Sequence, residues 1–138
     1  QLNYKELYFI LFDNNKDNLV TDFILKCFLD FQNLSEDIID VFKAKFFEMF
    51  ESAIKSTRYG IVPDELLEKY SNDHKKANRE YFKGYDSDEV FRAAKLNYVY
   101  YNNEDNPNLS YIIHFDIDWD EEHGINIFIE NGKIISID

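Results

Sequence analysis

Three carboxylates and an imidazole fall within six residues near the end of the chain, residues 119–124, WDEEHG. Just before them His114, Asp116 and Asp118 alternate. These side chains build zinc and hard-cation sites and serve acid–base catalysis. Spacing argues against a metal. Alternate residues of a strand stand ~7 Å apart, too far for two adjacent ligands of one zinc unless other elements contribute. Asp118, Asp120 and Glu122 could face a hard cation, but the Asx-rich spacing of a calcium loop is missing. A metal-dependent hydrolase or metal-binding regulator using His114, Asp116, Asp118 and His123 remains the alternative reading. The preferred one is a polar turn. Asp120 or Glu122 would tie the loop by accepting from backbone N–H groups, and His123 would bond a carbonyl. Gly124 would take a conformation that a Cβ resists. Contact with a partner is a third use of the same residues.

Other catalytic signatures are missing: no glycine-rich phosphate loop, no Gly-x-Ser-x-Gly, no His-Glu-x-x-His. Cys27 falls on an apolar helical face and reads as a buried, inert thiol. Paired carboxylates arise by chance among 27 acidic residues and mean nothing without a cleft. No catalytic residue, cofactor or metal is therefore expected, and the chain reads as a non-enzyme.

The elements that must position WDEEHG follow from apolar spacing. Residues 7–12, LYFILF, read as a buried strand closed by a turn-rich DNNKDN; a helical turn begun by Asn3 with Glu6 is the competing reading. Val20, Phe23, Ile24, Cys27, Phe28 and Phe31 then recur at helical spacing. Ser35 is a good N-cap for a second helix, whose stripe runs through Ile38, Ile39, Phe42, Phe46, Met49, Phe50 and Ala53. Gly60 ends that region, and Pro63 opens a shorter helix. Residues 71–83, SNDHKKANREYFK, are a solvated helix or a mobile connection, with His74 exposed. Asp86 and Glu89 form a capping-box pattern for another short helix.

After Lys95 the period becomes two. Residues 96–101 and 111–119 read as strands flanking a loop at 102–108, and residues 125–130 and 134–137 as two more. Asn131-Gly132 is a strong type I′ hairpin signal. That turn sets Glu130 opposite Lys133, Phe128 opposite Ile135 and Asn126 opposite Ile137. A five-residue loop at 120–124 would set Trp119 opposite Ile125, Ile117 opposite Ile127 and Phe115 opposite Ile129, a core face. The other face would carry Asp118, Asn126 and Ile137; Asp116, Phe128 and Ile135; and His114, Glu130 and Lys133. The predicted fold is α+β: a helical N-terminal two-thirds packed on one face of a C-terminal antiparallel β-meander, joined by an N-terminal strand. One domain is expected over 1–138, with the strand and helices in 1–95 and the meander in 96–138.

Charge narrows the partner. A formal net charge of −12 repels phosphate backbones, which argues against nucleic acid, and it favours fast encounter with basic proteins. The single cysteine precludes an intramolecular disulfide and fits a reducing cytoplasm. No apolar run reaches the ~20 residues of a membrane span, and no signal peptide is visible. Phe128, Ile135 and Ile137 offer an edge for a weak homodimer; otherwise a monomer is expected.

The C-terminal segment, FDIDWDEEHG followed by INIFIENGKIISID, resembles a group of small bacterial domains of unknown function. Their signature is similar to W-[DE]-x-E-H-G, an alternating strand and a short G-K-[VI] hairpin. The segment VTDFILKCFLDFQNLSEDIIDVFKAKFFEMF resembles their middle region. Trp119, Asp120, Glu122, His123 and Gly124 match the signature, and Asn131 and Gly132 form the hairpin. Members are thought to include immunity proteins encoded beside polymorphic or contact-dependent toxins. The resemblance implies a cognate toxin domain, expected to be basic, as partner. Its expected contact residues are Asp116, Asp118, Asp120, Glu121, Glu122 and Phe128.

Overall fold

The switch of apolar period near Lys95 marks the change from helix to strand in the computed structural model, which describes residues 22–35, 37–56, 60–101 and 108–138. Among the described residues five helices come first: α1 (Asp22–Gln32), α2 (Asp37–Ser56), α3 (Asp64–Lys69), α4 (His74–Tyr81) and α5 (Ser87–Ala93). Four strands follow: β1 (Lys95–Tyr101), β2 (Ser110–Asp116), β3 (Ile125–Glu130) and β4 (Lys133–Ile137). The fold is α+β, with an antiparallel sheet in the order β1-β2-β3-β4. The strand expected at 7–12, the helical position Val20 and the loop residues 102–107 lie outside the described residues.

Chain contacts group these elements into two compact units. A sheet unit takes in Leu96–Phe115, Ile125–Asp138 and the described part of Gln1–Ser35; a helical unit takes in Glu36–Lys95 and Asp116–Gly124.

In the sheet unit, alternation decides which face is buried. Tyr111, Ile113 and Phe115 of β2 are buried, as are Ile125, Ile127 and Ile129 of β3 and Val99 of β1. Each isoleucine removed from water contributes roughly 1.5–3 kcal/mol. α1 lies against this face. Phe31 meets the Tyr111 ring edge-on at 6.2 Å, and the Tyr111 hydroxyl donates to Asp30 Oδ2 at 3.0 Å. Cys27 is buried in the same helix, and burial, aided by Asp30, raises its thiol pKa to about 11. At neutral pH it is the unreactive thiol. On the opposite face the His114 ring stacks on Tyr98 at 4.6 Å, with its Nδ1 2.8 Å from Asn126 Oδ1.

The β2–β3 register differs from the expected one by four residues on β2. Phe115 pairs with Ile125, Ile113 with Ile127, Tyr111 with Ile129 and His114 with Asn126. The ladder stops at Asp116, so the connection spans residues 117–124 instead of five residues. Ile117 and Trp119 continue the alternation and are buried, yet they lie beyond the strand. The expected facing pairs of Asp118 with Asn126, and of Asp116 with Phe128, are therefore not formed.

The hairpin turn is as expected: Asn131 and Gly132 have φ of 49° and 73°, and Glu130 pairs with Lys133. Beyond it β4 bulges. Ile129 faces Ile134, but Phe128 faces Ser136 and Ile127 faces Ile137, which leaves Ile135 as the extra residue, 62% exposed. Asn126 exchanges backbone hydrogen bonds with Asp138 at 2.8 and 2.9 Å. The expected pairs Phe128–Ile135 and Asn126–Ile137 are corrected accordingly. The bulge has a physical reason. Without it Ser136 would face the core isoleucines; with it Ile137 does.

The helical unit is built around α2, whose Phe42, Phe46 and Phe50 are buried as the stripe predicts. Phe46 meets Phe91 of α5 at 5.9 Å, and Phe50 meets Phe82 edge-on at 6.2 Å. Lys43 bonds Asp88 at 2.8 Å. The capping box at α5 is complete: Asp86 accepts from the Glu89 N–H, and Glu89 accepts from the Asp86 N–H. The polar stretch 71–83 resolves into a helix, α4, capped by Asp73 on the Lys76 N–H. Only two of its residues, Ala77 and Asn78, are buried, which is why its pattern gives so little periodic signal.

Candidate functional site

WDEEHG lies entirely in the helical unit, and its six residues divide their work. Trp119 points inward, 2% exposed, with its ring edge-on to Phe50 at 5.6 Å. Its buried Nε1 has no hydrogen-bond partner among the described residues. The backbone of the same segment is tied down where the Ile61 N–H donates to the Asp118 carbonyl at 2.7 Å. Lys95 Nζ lies 3.5 Å from the Asp118 carboxylate. An indole anchor plus a backbone clamp fixes where the loop starts.

The loop closes on an internal pair. Asp120 is 8% exposed, and its Oδ1 accepts from His123 Nδ1 at 2.8 Å. That hydrogen bond, then the Asp120 charge, raises the pKa of the outward-facing His123. The Gly124 N–H reaches the Asp120 carbonyl at 3.4 Å, and Gly124 sits at φ 66°, a region costly for a residue with a Cβ. Asp120 ties the loop, but its carboxylate does so through the His123 ring and not through the backbone N–H groups expected. The partner of His123 is this carboxylate, where a carbonyl was expected.

Among the described residues, no group of three or more His, Cys, Asp or Glu side chains is gathered to hold a metal ion. His114 belongs to the sheet unit, where Tyr98 and Asn126 hold its ring. His123 is engaged by Asp120.

Glu121 and Glu122 turn the other way. Both are exposed, and they line a groove of about 480 Å³ with Gly60, Ile61, Val62, Leu67 and His74. Ile61 is 51% exposed, so an apolar floor is open to solvent beside two carboxylates. Behind the groove, Gly60 lies against buried Phe82 and Asn78; a Cβ on Gly60 would fall 2.8 Å from Asn78 Oδ1.

Of the six expected contact residues, Glu121 and Glu122 share this groove. Asp120 is turned inward and committed to His123. Asp118 is half-buried and Asp116 exposed at the end of β2, while Phe128 is a half-buried residue of the sheet unit. Sequence reasoning missed Gly60, Ile61, Val62 and Leu67; the first three precede a six-residue helix and the last lies within it. Their only signal is an apolar pair, Ile61-Val62, lying between Gly60 and Pro63. His74 was expected to be exposed, and it is, but its place in the groove comes from the turn between α3 and α4.

No curated protein and no solved structure matches this chain. No helix among the described residues is long and apolar enough to cross a membrane. One family does match, over residues 2–138, and by that match the chain belongs to the domains of unknown function described as DUF6985.

Proposed function

We propose that this domain is a bacterial, cytoplasmic immunity-type protein that binds a cognate toxin domain and blocks it, without catalysis of its own. The observation that carries the reading is the groove at WDEEHG: an exposed apolar floor at Ile61 beside Glu121 and Glu122, on a chain of net charge −12. Such a surface suits a basic partner that places an apolar residue on the floor and a Lys or Arg against the rim. The C-terminal resemblance to toxin-neighbouring domains points the same way. Asp116 is a further exposed carboxylate of the same unit.

The test is coexpression with the toxin encoded next to the gene. Growth should be rescued and a complex recovered. Glu121→Lys with Glu122→Lys should abolish both while leaving the unfolding midpoint within a degree or two. Association should also slow as salt rises. Absence of both complex and rescue for the unaltered protein would end the reading.

A further inference from the structure

A second cleft, of about 300 Å³, lies within the helical unit on the far half of α2. Its apolar lining comes from Phe47, Phe50 and Ile54 of α2 with Phe82 and Tyr85. These rings form one cluster. Phe50 stacks with Tyr85 at 6.1 Å and with Phe47 at 6.1 Å, and Phe82 meets Tyr85 edge-on at 5.4 Å.

The charges around it run against those of the chain. Lys55, Arg79 and Lys83 line the cleft with Glu51 as the single acid, an excess of two positive charges in a protein where acids outnumber bases 27 to 15. Arg79 Nη2 donates to the Lys55 carbonyl at 2.9 Å. The negative end of α2 accounts for Lys55 and Arg79 standing there. Lys83, just past the end of α4, stands likewise at that helix's negative end, but neither helix end accounts for the half-buried Phe47, Ile54 and Tyr85 left between the cations. Neither Lys55 nor Lys83 forms an ion pair among the described residues.

We propose that this cleft binds a small organic anion with a flat apolar body. The ring system lies against the half-buried Phe47, Ile54 and Tyr85, and a carboxylate, sulfonate or phosphate group faces Lys55 and Lys83. The volume is at the lower end of small-molecule sites, about 300–1,000 Å³. Aromatic walls with a few fixed charges are the usual means of orienting such a ligand. This site is separate in residues and opposite in charge from the groove at WDEEHG.

Anilinonaphthalene sulfonate is a suitable probe, because anilinonaphthalene offers the same rings without the charge. Fluorescence titration of the folded protein should show the sulfonate bound more tightly than the neutral compound. Lys55→Gln with Lys83→Gln should weaken sulfonate binding about tenfold, from up to about fivefold for each exposed charge, and leave the neutral compound unchanged. The circular dichroism melt of the variant should overlay that of the parent. No sulfonate binding, equal binding of the two probes, or binding unaffected by the double substitution would overturn the assignment. So would displacement of the probe by an oligoglutamate peptide, which would assign the cations to a protein partner.

Discussion

Gly60→Ala sets two effects of opposite sign against each other at the back of the acidic groove. Gly60 is not among the glycines with positive φ, so an alanine is allowed by the backbone. On that ground alone it should stabilise by about 0.4–1 kcal/mol through the unfolded chain. Packing says the reverse. The new Cβ would lie 2.7 Å from Phe82 Cε2, 2.8 Å from Asn78 Oδ1 and 3.1 Å from Asn78 Cγ, where carbon atoms prefer about 3.5–4.0 Å. Neither neighbour can yield easily. Phe82 is 1% exposed and Asn78 0%, and the Phe82 ring is held between Tyr81 at 5.0 Å and Phe50 at 6.2 Å. Overpacking of this kind costs about 1–3 kcal/mol, so the net expectation is a loss of about 1–2 kcal/mol. Trp119, the single tryptophan, reports on the same unit through Phe50. Urea unfolding followed by its fluorescence should show a lower midpoint with an unchanged slope. A variant as stable as the parent, or more stable, would show that the close approach at Gly60 constrains nothing.

Trp119→Ala should destabilise by about 3–5 kcal/mol, the range for truncating a buried aromatic, measured by circular dichroism; a loss below 1 kcal/mol would mean that the indole does not anchor the loop. Tyr111→Phe should cost about 1–2 kcal/mol, because a half-buried Asp30 loses the hydroxyl that donates to it; an unchanged melt would count against that bond. His123 tests the turn through pH. Its folded pKa is raised by Asp120, so the pair's contribution is complete below about 6.5, the ordinary histidine value, and fades as pH rises through the raised value. Relative to His123→Gln, the parent's melting advantage should therefore be larger at pH 6 than at pH 9. An advantage that grows with pH would refute the pair.

Much of the fold was legible because it rests on local rules. The α2 stripe, the capping box at Asp86 and Glu89, and the Asn131-Gly132 turn each depend on residues a few positions apart, and each is found where its pattern places it. Helix α4 was not legible as a definite element. Its buried side comprises Ala77 and Asn78, one too small and one too polar to mark a period. The groove failed for a related reason. Glu121 and Glu122 could be named from sequence, but three adjacent acids do not say which one turns inward. Asp120 is the one buried, because the residue three positions on is His123 and the loop curls far enough to join them.

The register error is the most instructive, because its parity was right. An alternating pattern assigns each residue to a face, and a slip of one reverses every assignment. A slip of four reverses none. Pairing Phe115 with Ile129 or with Ile125 buries the same face of β2, so composition and alternation cannot distinguish the two. The extra apolar positions, Ile117 and Trp119, then favour the longer ladder, as if burial implied pairing. Here they are buried beyond the ladder, Trp119 against Phe50, and backbone pairing passes to Ile61 through its bond to the Asp118 carbonyl. The longer connection is what lets one short segment both anchor an indole and turn two carboxylates outward beside an exposed isoleucine. A five-residue hairpin loop would have held Trp119 in the sheet and left Glu121 and Glu122 at its tip, with no groove to line.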